Sequence, residues 1–152
     1  MNAEPATMQN GPKVRVSVQT QDFSLDELFA EVSADSCGAV DVFVGSVREF
    51  GEGSNVVALE LSHYPGMTQS VLEKAAHRVA AEFDLQALVV VHRVGRLEVG
   101  ERIVAVVAAS AHRTQAFDGC RAMMERLKSD APFWKKEWLN DGSSVWVRGK
   151  HA

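Results

Sequence analysis

A chain of 152 residues, 46% hydrophobic and 24% charged, fits one folded domain and excludes wholesale disorder. A net charge of −4 excludes a general nucleic-acid binder, which carries a basic excess. The two cysteines, Cys37 and Cys120, show no CxxC or Cys/His spacing, which excludes a disulfide framework and a zinc site and suits a reducing, cytoplasmic compartment.

Residues 1–12 read as a flexible tail closed by Gly11 and Pro12. They hold no apolar secretion signal, and no stretch is long enough to span a membrane. Residues 13–152 then form a single domain. Val14, Val16 and Val18 alternate with Arg15 and Ser17, the pattern of a half-buried strand. Ser24 is an N-cap before Asp26 and Glu27, and opens a helix with Leu25, Leu28, Phe29 and Val32 on its apolar face. Residues 38–47 make a second strand, interrupted by Asp41 at a solvent-facing or partner-facing position. Residues 48–55 form a mobile, glycine-containing loop, and 56–63 a third strand. Pro65-Gly66 breaks that strand. Thr68 caps a helix running to about residue 83, with Val71, Leu72, Ala75, Val79 and Phe83 inward. Residues 87–94 and 103–109 are valine-rich buried strands joined by a turn at 95–100. A helix from about 114 to 129 carries Phe117, Cys120, Met124 and Leu127 on one stripe, and Pro132 stops it. Residues 133–138 and 145–147 are extended pieces around an Asp141-Gly142 turn. The fold class is α+β, with a mixed sheet and three main helices in two layers.

Positive charge concentrates near the C-terminus. Residues 111–137 carry six Lys/Arg (113, 121, 126, 128, 135, 136) against four Asp/Glu (118, 125, 130, 137). A local basic excess in an acidic chain suits a small anion better than a polymer. Ser110-Ala111-His112-Arg113 joins a buried strand to a helix N-terminus, where free N–H groups attract anions. Arg113 opposes the helix dipole unless an anion lies between them. Lys128, in the last turn, is also explained by the dipole alone, and it shares a salt-bridged face with Arg121 and Glu125. Lys135 and Lys136 lie between Trp134 and Trp138 in extended chain, so one shares the tryptophan face and the other the face of Phe133. A lysine against buried aromatics is desolvated, which frees its amine for proton transfer or covalent work. Its stem can equally pack there while the charge reaches water. Arg48 follows Gly45-Ser46-Val47 at another strand end. His63 precedes the structural turn Tyr64-Pro65-Gly66-Met67, and His77 and His92 are surface or satisfied core groups. There is no GxSxG, HExxH or Walker-type loop and no prominent carboxylate pair. Cations and a histidine, with lysine the one evident nucleophile, fit an anionic substrate whose reactive group arrives from elsewhere.

Over about residues 13–148 the chain resembles the large, catalytic subunit of molybdopterin synthase. The resemblance runs through Gly45-Ser46-Val47-Arg48, His63-Tyr64-Pro65-Gly66-Met67 and Val91-His92-Arg93-Val94-Gly95. It is carried above all by Ser110-Ala111-His112-Arg113, Leu127-Lys128 and Pro132-Phe133-Trp134-Lys135-Lys136-Glu137, in that order and spacing. It implies an α/β hammerhead fold that converts cyclic pyranopterin monophosphate to molybdopterin, with two sulfurs inserted as a dithiolene, in molybdenum cofactor biosynthesis. It implies no cofactor or metal in this chain. Sulfur would come from a small ubiquitin-like subunit with a C-terminal Gly-Gly thiocarboxylate, whose tail enters a pocket. Two large subunits would form a central homodimer within a heterotetramer. Position by position, the resemblance implies Arg48, His112 and Arg113 at the substrate phosphate and pterin, with Ser46 and Val47 beside them. Lys128 would lie near the small subunit's C-terminus and Lys135 beside the substrate, both catalytic, while Lys136 and Glu137 complete the pocket wall. Ser46 stands where relatives often carry a larger or basic residue, which touches a minor substrate contact.

A non-catalytic module that holds a partner's carboxylate or a phosphorylated metabolite would use the same basic pocket. Lysines that only bind would then tolerate arginine. A fused sulfur carrier is disfavoured, because the sequence closes on Arg148-Gly149-Lys150-His151-Ala152 without a terminal Gly-Gly, so the carrier is expected to be a separate chain.

Overall fold

A computed structural model describes residues 11–49 and 55–147. The N-terminal tail as far as residue 10, the loop at 50–54 and the final residues 148–152 lie outside the described residues. In chain order the elements are β1 (Lys13–Gln19), α1 (Leu25–Val32), β2 (Ala39–Ser46), β3 (Val56–His63), α2 (Met67–Glu82), β4 (Ala87–Arg93), β5 (Gly95–Glu98), β6 (Arg102–Ser110), α3 (Arg113–Asp130), β7 (Phe133–Leu139) and β8 (Ser144–Trp146).

The valine runs decide the centre. β4 is buried at every position and β6 from Val104 onward, so both faces of these strands need cover. They form the middle of a four-stranded mixed sheet ordered β1-β4-β6-β2, in which β1 lies parallel to β4 and the other pairs are antiparallel. Leu88, Val90, Val104 and Val106 pack against Leu72, Val79, Met123 and Leu127 of α2 and α3. Val89, Val91, Ala105 and Val107 point the other way, toward Leu28 and Val32 of α1. The expected mixed sheet and three helices are present, with α1 on the face opposite α2 and α3. A second, antiparallel sheet is ordered β5-β3-β7-β8. Val47, Leu61, Val94 and Leu97, with Phe133 and Ile103 against them, join the two sheets.

Local chemistry explains the boundaries. The Ser24 side chain accepts from the Glu27 N–H at 3.3 Å, the expected cap. Thr68 is not a cap: α2 starts one residue earlier behind Gly66, at φ 82°, and the buried Thr68 hydroxyl accepts from the Tyr64 N–H. The turn expected at 95–100 contains β5, four residues that pair with β3 through Leu59↔Leu97. The stripe on α3 is rotated from the expected one. Phe117 is 57% exposed, whereas Ala116, Gly119, Cys120, Met123 and Leu127 face the sheet. At Gly119 an added Cβ would lie 2.8 Å from the Leu85 methyls, so the close approach selects glycine where a larger apolar residue would be expected.

Candidate functional site

The cations singled out in the sequence fall into two groups at opposite ends of the fold. The first forms where β6 runs into α3. Ser110 is fully buried and its hydroxyl donates to the His112 carbonyl. The Gly38 N–H donates to the Ser110 carbonyl at 3.0 Å, and any Cβ on Gly38 would collide with the Ala111 carbonyl oxygen. The junction is therefore clamped by the start of β2. His112 occupies the N-cap with extended backbone and makes no side-chain cap, so the first-turn N–H groups of α3 point outward beside the exposed Arg113. That is the composition of an anion site.

The second group lies at the other end of α3. Arg113 and Lys128 are fifteen positions apart on one helix, which sets them about 22 Å apart along its axis. Lys128 sits in the last turn, and Pro132 then turns the chain into β7. Phe133, Lys135 and Glu137 share the inner face of β7, and Trp134, Lys136 and Trp138 the outer one. Burial holds the Lys135 amine below the ordinary lysine value, and the charge of Lys128 presses the same way. Glu137 is buried on the Lys135 face. Lys136 lies over the rings of Trp138 and Trp146, at 5.3 and 4.7 Å, on the outer face, where Trp138 also donates to Glu60 at 3.1 Å. The two adjacent lysines thus project to opposite sides of one strand.

Arg48 belongs with the second group. Val47 is buried in the cluster that holds Phe133. Its N–H donates to the Glu101 carbonyl and its own carbonyl accepts from Gly100. With side chain and backbone both engaged, what Val47 contributes is the placement of Arg48, which is exposed beyond it, as is Ser46 just before. The β2–β6 ladder runs from Ala39↔Ser110 to Ser46↔Arg102. Arg48 and His112 therefore stand at its two ends, roughly 25 Å apart at about 3.4 Å per residue.

His92 is a satisfied core group, as its sequence context suggests, but it also borders Lys135. Its ring is buried and stacks on Phe133 at 4.0 Å, with Nδ1 2.9 Å from the Arg93 carbonyl oxygen. Burial pushes its pKa down to about 4, and the charges of Lys135 and His63 add to the effect. The available signal was a polar residue at the end of a fully buried strand, which must find partners. Burial, and then Asp41, push the Cys120 thiol up to about 12. The Cys37 thiol donates to the Ala39 carbonyl.

Residues 18–130 match the family model described as MoaE protein. The chain is 46% identical over 145 residues to the molybdopterin synthase catalytic subunit of Rhizobium meliloti (strain 1021), covering 91% of this chain and 90% of that protein. It is 45% identical over 139 residues to the protein of the same name from Vibrio cholerae serotype O1, covering 91% and 92%. The solved structure of molybdopterin synthase from Staphylococcus aureus superposes with a TM-score of 0.81 at 27% identity, covering 88% of this chain and 96% of that one.

Proposed function

The chain belongs to the MoaE protein family, and on that footing we propose how its residues share the work of molybdopterin synthesis. It is the catalytic subunit of a molybdopterin synthase. With a separate small subunit as sulfur donor, it converts cyclic pyranopterin monophosphate to molybdopterin by inserting two sulfurs. No helix among the described residues is long and apolar enough to cross a membrane. We propose the cytoplasm as the place of the reaction.

The observation that carries the division of labour is the separation of the cations along the β2–β6 ladder. One copy of the chain cannot close Arg48, Lys128 and Lys135 around a ligand that His112 and Arg113 also hold. A second copy can. β2 is an eight-residue edge strand of the mixed sheet, with neither proline nor lysine in it. Val42 and Phe43 are 40% and 43% exposed on its two faces. A hollow lined by Phe29, Cys37, Gly38 and Val40 opens beside its start. An uncovered apolar edge of this kind is a template for pairing with another strand. Antiparallel pairing of β2 with the partner's β2 about a twofold axis sets Ser46 beside the partner's Ala39. That brings Arg48 within two strand spacings, about 10 Å, of the partner's β6 end. Two sites then form per dimer, each with the lysines of one copy and the anion-binding junction of the other.

In such a site the substrate phosphate lies on the α3 N-terminus with His112 and Arg113, and Arg48 reaches it across the seam. Lys135, partly desolvated, and Lys128 meet the small subunit's thiocarboxylate tail. Their charge stabilises the oxyanion that develops at its acyl carbon, and one of them moves the proton during transfer. Glu137 walls the pocket on the Lys135 face. Lys136 borders it from the outer face.

The reaction is tested by mixing the purified chain with thiocarboxylated small subunit and cyclic pyranopterin monophosphate, then assaying dithiolene product. Turnover in the wild type and none in Lys135→Ala supports the assignment. Near-normal product from the variant sinks it.

A further inference from the structure

His92, next to last in β4, lies at the Lys128–Lys135 end and has no part in the chemistry above. Its imidazole is 7% exposed and lies nearly flat on Phe133, with 4.0 Å between centroids and 16° between planes. Its Nδ1 faces the Arg93 carbonyl oxygen at 2.9 Å. A carbonyl only accepts, so Nδ1 carries the hydrogen, and burial, which disfavours the charged imidazolium, keeps the ring neutral. Phe133 and Lys135 leave the same face of β7. The stack therefore grips the strand two residues ahead of the amine. It also ties the two sheets together, since β4 lies in the mixed sheet and β7 in the antiparallel one.

We propose that His92 is the positioning residue for Lys135, a neutral aromatic wall that fixes the lysine stem and keeps water from one side of its amine. Building on the role given to Lys135 above, this inference names what holds that lysine ready. The charge of Lys128 from α3 acts on the Lys135 amine; the His92 ring from β4 feels Lys135 and also His63 from β3, which lies opposite Phe133; and Glu137 lies further along the inner face of β7. Among these the neutral ring has a distinct task. A carboxylate in its place would pair with the ammonium and hold the proton on. A permanent cation would drive the lysine stem away. A stacked, uncharged ring does neither and still excludes water.

The test follows Lys135 directly, by NMR titration of the full-length chain labelled with [ε-13C]lysine, the signal being assigned with Lys135→Arg. In His92→Ala, water reaches the amine and its midpoint rises by about one pH unit, a tenfold loss of free amine near neutrality. kcat for dithiolene formation falls to match, and KM for the pterin stays put. His92→Phe restores the wall and recovers most of both. Phe133→Leu removes the stack from the other side, shifts Lys135 in the same direction, and decides the matter if His92→Ala does not fold. An unmoved Lys135 titration in His92→Ala overturns the proposal, as does a shift in His92→Phe as large as that in His92→Ala. If the titration moves and turnover does not, the positioning role stands and it is the catalytic role of Lys135 that falls.

Discussion

A mixed dimer of two disabled copies distinguishes a shared site from a site within one chain. Take Lys135→Ala as one copy and Arg113→Ala as the other. Each homodimer is damaged at both of its sites. Arg113 and Lys128 lie fifteen positions apart on α3, so about 22 Å of helix separates the two cation groups of a single copy. If each site joins the lysines of one copy to the junction of the other, a mixed dimer has one site lacking both groups and one site intact. Random association makes about half of the dimers mixed, and activity returns to about a quarter of wild type. If both groups served a site within one chain, every site in the mixture would lack one of them and activity would stay at the level of the parents. The assay is dithiolene formation after co-refolding the two variants, with mixed dimers counted by native mass spectrometry. Abundant mixed dimers without recovery would refute the shared site.

Three further outcomes follow from particular contacts. Lys135→Ala should abolish turnover, whereas Lys136→Ala, on the outer face over Trp138 and Trp146, should cost far less kcat while lowering the melting temperature, as steady-state kinetics and thermal melts will show. The His92 value of about 4 lies below the ordinary 6.5, so protons favour the unfolded chain. Stability is full above pH 6.5 and drains as pH falls toward 4, by about 3 kcal/mol, and urea titrations of His92→Phe should show a flatter profile over that window. Gly38→Ala drives a methyl group against the Ala111 carbonyl; it should cost about 1–3 kcal/mol and weaken pterin binding in calorimetry, with the Lys135 titration unchanged.

Much of this fold is legible in the residue pattern, because period and punctuation act locally. The valine runs of β4 and β6, the Ser24 cap and the Pro132 stop are all found where hydrophobic spacing and capping chemistry put them. What the pattern misreads depends on distant neighbours. β5 has one inward side chain, Leu97, and becomes a strand only because β3 lies beside it. The α3 stripe rotates because Leu85 presses on Gly119 and leaves Phe117 outside. Residue types at the candidate site were legible too, including the alternation that separates Lys135 from Lys136. The separation of Arg48 from His112 was not, since it follows from the register of β2 on β6.

Lys135 and Lys136 are chemically identical neighbours, told apart only by the pleat of β7. A one-residue slip of β7 along β3 would exchange their sides, with the composition, the charge and the number of ladder bonds unaltered. The protein must therefore proofread its own strand alignment. Phe133 on His92 is the key on one side, and the Trp138 bond to Glu60 is the key on the other, each cut for a single alignment. An extra residue inserted between Pro132 and Lys135 would deal the lysines to the wrong sides, whereas one added at the Asp141-Gly142 turn would leave the hand as dealt.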